Sequence, residues 1–395
     1  MNGLKTEQSA KSEHKLKRIM QQLDHFFKDR YEVHFNVLSE RTEYRSIGSN
    51  APYKPIGRRD INRLIIEALY DNIDCMDRDV YRYLQSGFIP ESQPMKDYIH
   101  SLPEWDRRDR IIELAKRISS VPMWITLFHR WLLGLVAQWT NLNPIHGNAL
   151  MPILISKRQG QKKSTFCRLI LPEELRLYYT DEFDINSRSS HVDKISKFAL
   201  INIDEFNRMS EVKAARLKNL LQMADVKVKQ DNSGCYEHKQ RIASFIGTSN
   251  VKELLTDPTG SRRFIPIEQF QKITRMKINY RQLYAQLRHE LHERKRYWLN
   301  ACEEGRLMRH NLPFTRRPIE EHLFFECFTI APEGEKNHLQ LSISQLYETL
   351  RRKSPSTMRD IKLATFGEHL AILGVPKVRT SAGFVYLVKK VSECR

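Results

Sequence analysis

The stretch ALMPILISKRQGQKKSTF, residues 149–166, constrains the fold of this chain more than any other. An apolar run gives way to a polar loop, and the loop ends in Lys-Ser-Thr at the head of a helical pattern. That order is the order of a phosphate-binding loop, whose usual spacing is G-x-x-x-x-G-K-[ST]. With Lys163 and Ser164 as the K-[ST] pair, the two glycine positions hold Lys157 and Lys162. Glycine before the lysine lets backbone amides approach a phosphate without a Cβ in the way. Lys162 adds a Cβ there, with strain of about 1–3 kcal/mol if its φ is positive. Gly160 remains to make the turn.

The loop opens a region of alternating texture. From 149 to about 270, short apolar runs (ALMPILI, FALINIDE, RIASFIGTSN, RRFIPIE) alternate with helical patterns. This is the βα alternation of a three-layer α/β domain. About 40 residues after the loop, FALINIDEF ends an apolar strand in Asp204-Glu205. A rigid strand can deliver one carboxylate to a Mg²⁺ shell and a second to polarise an attacking water. The next strand ends in Thr248, Ser249 and Asn250. A polar residue at that tip can sense a γ-phosphate, although Ser and Asn are also ordinary helix N-caps. DPTGSRRFIPIE then places Arg262 and Arg263 after a Gly-Ser turn, where an arginine can neutralise transition-state charge. The two alternate faces if the strand begins early.

Flanking regions read differently. Residues 1–15 are polar and read as frayed. A helical pattern from Leu16, a hairpin (EVHFNVLS and TEYRSI) and two helices follow. The hairpin interleaves aromatic and basic residues, but an ordinary amphipathic hairpin explains it as well. MWITLFHRWLLGLVAQWT is apolar nearly all round and predicts a buried helix. Residues 209–231 read as helical and lead into the polar turn NSGCYEHKQRI. Lys227, Lys229 and Lys239 lie on its flanks as candidate phosphate contacts. Residues 275–311 are charged and helical, and 312–335 hold three prolines and a loop-like APEGEKN. The last segment reads as two helices and a hairpin with Gly at its turn, a winged-helix pattern. The domain expectation is a helical and hairpin region at 1–90, a helical lead-in at 91–148, an ATPase domain with helical lid at 149–311 and a winged-helix-like domain at 312–395.

Composition narrows the partner. A formal charge of +18 and a pI near 9.6 point to a polyanion. Six cysteines are scattered without a C-x-x-C, so neither a zinc site nor a disulfide framework is indicated. No apolar leader core and no 18-residue apolar run occur, so the chain reads as cytoplasmic, with no membrane partner.

GQKKSTFCRLILPEEL, INIDEFNRMS, FIGTSN and LTDPTGSRRF together resemble the virulence-associated protein E family. Its members are P-loop ATPases of phages, plasmids and integrated islands, similar to superfamily 3 helicases and to the ATPase half of phage primase-helicases. DYIHSLPEWDRRDRI resembles the family's lead-in, and the C-terminal segment resembles a small domain appended in Bacteroides-type members. Against the family's usual GxQGxGKST, Gln159, Gly160, Lys163, Ser164 and Thr165 match, while Lys157 and Lys162 depart.

The resemblance implies an AAA+-like P-loop NTPase fold using ATP and Mg²⁺. Lys163 would bind the β- and γ-phosphates, with Gln159, Gly160, Lys162 and Thr165 in the loop. Ser164 and Asp204 would hold the metal, Glu205 would be the base, Asn250 the sensor, and Arg262 or Arg263 a finger reaching a neighbouring subunit. The implied partners are DNA, single-stranded or forked, and further copies of the chain, a hexameric ring being one arrangement. The rival reading is a non-catalytic DNA-binding protein with a vestigial phosphate loop.

Overall fold

The computed structural model describes residues 2–142, 145–158, 160–229, 236–256, 261–270, 272–273, 277–316, 319–331, 338–381 and 383–391. The chain forms two compact units, Met1–Pro313 and Phe314–Arg395.

The first unit begins with helix α1 (Asn2–Arg30), then β1 (Tyr31–Asn36), β2 (Arg41–Ser46) and β3 (Lys54–Pro55). Next come α2 (Arg58–Tyr70), α3 (Asp77–Leu84), β4 (Glu91–Ser92), α4 (Pro94–His100), α5 (Ile111–Ala115) and α6 (Pro122–Thr140). The helix thus begins at Asn2 instead of near Leu16. β1 and β2 form the expected hairpin, in the order β3-β2-β1-β4. Two of its basic residues have acidic neighbours: Arg45 pairs with Glu32, and His34 lies 3.2 Å from Glu43. The hairpin is therefore an ordinary sheet element resting on its own small core of Leu23, Phe27, Tyr44 and Leu64.

The centre of the unit is an α/β sheet. Its strands are β5 (Met151–Ile155), β6 (Tyr179–Thr180), β7 (Leu200–Ile203), β10 (Ser244–Ser249) and β11 (Phe264–Glu268). They lie in the order β11-β5-β10-β7-β6, and each neighbouring pair is parallel. A parallel sheet is covered on both faces, so its strands read as continuous apolar runs; β5, β7 and β10 are buried throughout. The two-residue β6 is too short to carry a sequence signal. Connecting helices are α7 (Lys163–Leu169), α8 (Arg188–Lys197) and α9 (Glu211–Gln222). Between α9 and β10 stands a two-stranded hairpin, β8 (Asp225–Lys229) and β9 (Tyr236–Gln240). The unit closes with α10 (Tyr280–His292) and α11 (Ala301–Asn311).

Helix α6 anchors this core. Trp124, Trp131 and Trp139 are all buried, as the apolar pattern predicts. Each indole N–H finds a backbone carbonyl: Ala115 O at 2.9 Å, Phe245 O at 3.0 Å and Ala199 O at 3.5 Å. Burying each such ring stabilises the fold by roughly 2–3 kcal/mol, and the N–H bonds remove the cost of hiding a polar atom.

The second unit comprises α12 (Ile319–Cys327), β12 (Phe328–Ile330), β13 (Leu339–Leu341), α13 (Ile343–Lys353), α14 (Pro355–Met358), α15 (Leu363–Ile372), β14 (Lys377–Thr380) and β15 (Gly383–Lys390). Its antiparallel sheet centres on β15. Phe324, Leu346, Phe366 and Val388 form its core. Helix α12 and strand β12 lie in the proline-bearing stretch, for which no element was expected; the loop-like APEGEKN, apart from Ala331, lies outside the described residues. The prolines of 312–335 read as breakers, yet a proline just ahead of a helix starts one readily. No helix among the described residues is long and apolar enough to cross a membrane.

Candidate functional site

The carboxyl ends of β5, β7 and β10 bring the predicted residues together. Adjacent parallel strands end side by side, so the loop after β5, the acidic pair after β7 and the polar tip of β10 must meet. Lys163 starts α7 and is half-buried. Its Nζ donates to Asn250 Oδ1 at 2.8 Å and to Ser156 O at 3.3 Å. Burial lowers its pKa, and the nearby Asp204 charge only partly offsets this. Ser164 Oγ donates to Asp204 Oδ1 at 3.3 Å, and Thr248 Oγ1 donates to the same oxygen. Thr248 Oγ1 also accepts from the Glu205 backbone N–H at 3.3 Å. The acidic tip is thus strapped to β10 through one buried hydroxyl.

Three residues of the site hold left-handed backbone. Lys162 has φ +63°, so the strain expected of a lysine in the glycine position is present; Gly160 has φ +75°. Glu205 has φ +50° and directs its carboxylate to Arg208 at 2.7 Å. Ser249 Oγ bonds Asn207 Oδ1 at 3.2 Å and Val251 O at 2.7 Å, so it serves the turn after β10. Thr165 is exposed in the first turn of α7, and Lys157 is exposed in the loop. Gln159 lies outside the described residues. The loop is tied down by Gln269, whose Nε2 donates to Gln161 O at 2.9 Å.

Arg262 and Arg263 sit in a single 3-10 turn, Ser261–Arg263, and the strand begins only at Phe264. The alternation expected of an early strand does not arise. Arg262 pairs with Glu304 on α11 at 2.9 Å. The three candidate phosphate-contact lysines also separate. Lys227 opposes His238 and Lys239 opposes Val226 across the hairpin, so the two lysines point to opposite faces. Lys227 is exposed, while Lys239 pairs with Glu40 at 2.8 Å, and Lys197 lies 3.8 Å from the same carboxylate. Lys229 belongs to β8.

Sequence reasoning missed two arginines. Arg208 stands three residues after Glu205, a spacing that could have been noticed. Arg241 is fully buried between the hairpin and β10 and spends all five donors. Nε bonds Ala243 O, one terminal nitrogen bonds Leu220 O and Met223 O, and the other bonds Gln138 Oε1 and Asn148 O, all within 2.6–3.0 Å. Its partners are mostly backbone carbonyls, which leave no trace in residue types.

Comparison with known proteins follows from this geometry. The profile of the virulence-associated protein E-like domain matches residues 99–315. A second profile, a domain of unknown function from B. Theta, matches 317–388. No curated protein matches. Among solved structures, the apo form of the NrS-1 C-terminal region is 12% identical, covers 94% of this chain and 99% of its own, and gives a TM-score of 0.44. Its A-form apo structure is also 12% identical, with 95% and 99% covered and a TM-score of 0.44. With more than half of its 395 residues matched by that first profile, the chain belongs to the virulence-associated protein E-like family.

Proposed function

We propose that the first unit carries a P-loop NTPase domain and that the chain is a nucleic-acid-dependent ATPase, a DNA helicase or replication-initiation motor of a phage, plasmid or integrated element. It works in the bacterial cytoplasm as a homo-oligomer, with a helical lid after β11 and a winged-helix-like second unit. One observation carries the reading: Lys163 meets Asn250 at 2.8 Å while Ser164 meets Asp204 at 3.3 Å, at the tips of three neighbouring strands.

Each residue has a task that its position permits. Lys163 exchanges its bonds to Asn250 and Ser156 for the β- and γ-phosphate oxygens of ATP, and Asn250 is left to orient the attacking water. Ser164 and Asp204 offer hard oxygens close together, a donor set that suits Mg²⁺. When bound, that ion neutralises charge on the β- and γ-oxygens. Thr248 holds the Asp204 carboxylate in place. Glu205, once it leaves Arg208, takes the proton of the attacking water. Arg262 or Arg263 serves as finger to a neighbouring subunit, and the exposed Lys227 meets DNA phosphate.

The test is ATP hydrolysis with and without single-stranded DNA. Hydrolysis stimulated by DNA, lost in Lys163→Ala and replaced by stable ATP binding in Glu205→Gln, is the expected result. Equal turnover in Lys163→Ala and the parent chain removes the site assignment. The rival reading draws support from Lys162, whose φ of +63° is a lysine strained into a glycine's place. A parent chain that binds DNA but hydrolyses no ATP establishes that rival.

A further inference from the structure

The second unit carries a hairpin whose charged residues are all basic. Residues 377–391 contain Lys377, Arg379, Lys389 and Lys390 and no carboxylate. β14 pairs with β15 so that Lys377 opposes Tyr386 and Arg379 opposes Phe384. Directly paired residues share a face, and the side chains meet. Lys377 Nζ sits 4.5 Å from the Phe384 ring centre and 5.7 Å from that of Tyr386. The Arg379 guanidinium sits 5.9 Å from the Phe384 ring.

Three features set this tip apart. Lys377 and Arg379 are exposed, and no described carboxylate pairs with either. Phe384 is 55% exposed, although its apolar ring would gain from burial. The burial of β15 falls from Tyr386, Leu387 and Val388 in the core to an exposed Phe384, so the hairpin runs out beyond the core. Gly383, at φ +120°, begins the return strand, and Thr380 Oγ1 bonds Gly383 O at 2.8 Å to close the tip. Cation–π contact holds both charges over one ring, which lowers the entropy lost when they engage a partner.

The geometry points to a second nucleic-acid site: the β14–β15 tip binds duplex DNA, with Lys377 and Arg379 on backbone phosphates and Phe384 positioning them. A protruding two-stranded ribbon is of a size that a duplex groove admits. Single-stranded DNA would need an open aromatic face for base stacking, and the Phe384 ring already carries two cations. This site is separate from the proposed ATP site and needs no nucleotide.

The test uses the full chain without nucleotide, and fluorescence anisotropy of a labelled duplex and a single strand of equal length across a salt series. Lys377→Gln with Arg379→Gln keeps the side-chain stems over the ring and removes both charges. Duplex affinity should fall roughly tenfold or more and the log–log salt slope should shrink by about 2. Single-strand binding should change far less. Lys377→Arg with Arg379→Lys should stay near the parent, and Phe384→Ala should fall between. The proposal is overturned if the parent shows no salt-dependent duplex binding, if the glutamine pair leaves affinity and slope intact, or if the loss is confined to single strands. It is also overturned if the conservative pair loses as much as the glutamine pair, since the effect is then damage to the fold.

Discussion

Lys163 and Arg241 are both cations taken out of water in the same unit, and burial lowers the pKa of each, that of Arg241 to about 9. They differ in what their donors do. Arg241 fills all five with carbonyl and amide oxygens from α6, α9, Asn148 and the start of β10. Lys163 makes two bonds, to an asparagine side chain and a single carbonyl, beside an exposed carboxylate and hydroxyl. A cation whose donors are all consumed holds structure together. A cation with weak, replaceable partners is available to an anion.

The same substitution at both positions tests this contrast. Arg241→Met should cost about 3–5 kcal/mol of stability, because it strands several buried carbonyls at once. Urea unfolding reads the loss, and an unchanged midpoint would show that the five bonds count for little. Lys163→Met should leave the unfolding midpoint within about 1 kcal/mol while hydrolysis falls on the order of 10²–10³-fold. If Lys163→Met unfolds the unit instead, the two cations are of one kind. Lys162→Gly comes next in size. It relieves about 1–3 kcal/mol of left-handed strain, offset in part by glycine's freedom in the unfolded chain. Turnover should rise, and a fall would mean that the extra charge near the phosphates matters more than the strain.

Glu290 supplies the smallest effect and a control of opposite charge. Burial pushes its carboxyl up, but bonds from His129, Lys295 and Gln286 outweigh this and hold it at about 2. An unfolded glutamate titrates near 4.3. The folded state therefore favours the ionised form, and its contribution is complete above the unfolded value and lost as pH falls toward 2. Between pH 7 and 4 the loss should be about 0.5–1 kcal/mol. Glu290→Gln should flatten that part of the stability profile, and an unaltered profile would place the acid sensitivity elsewhere.

These residues also mark what the sequence could disclose. Lys163, Ser164, Asp204 and Asn250 were readable because their chemistry resides in residue type and they end consecutive apolar runs. Most of the parallel sheet was readable for the same reason, since buried strands are apolar on both faces. Arg241 was not, because backbone carbonyls have no letter in the sequence. The ion pair of Lys239 was not readable, because its partner, Glu40, lies 199 positions away. Helix α12 was hidden behind prolines that break a pattern in one place and begin one in another.

The bond between Gln269 and the Gln161 carbonyl has a further consequence. Gln269 follows β11 directly, and its segment continues toward α10. The loop cannot shift at Gln161 without breaking that bond or carrying Gln269 with it. A shift of the loop at Gln161 is thereby felt at the end of β11, outside the loop itself. Isotope uptake along β11 and at Gln269 becomes a reporter of whether the loop is filled, readable even in a variant that turns over nothing.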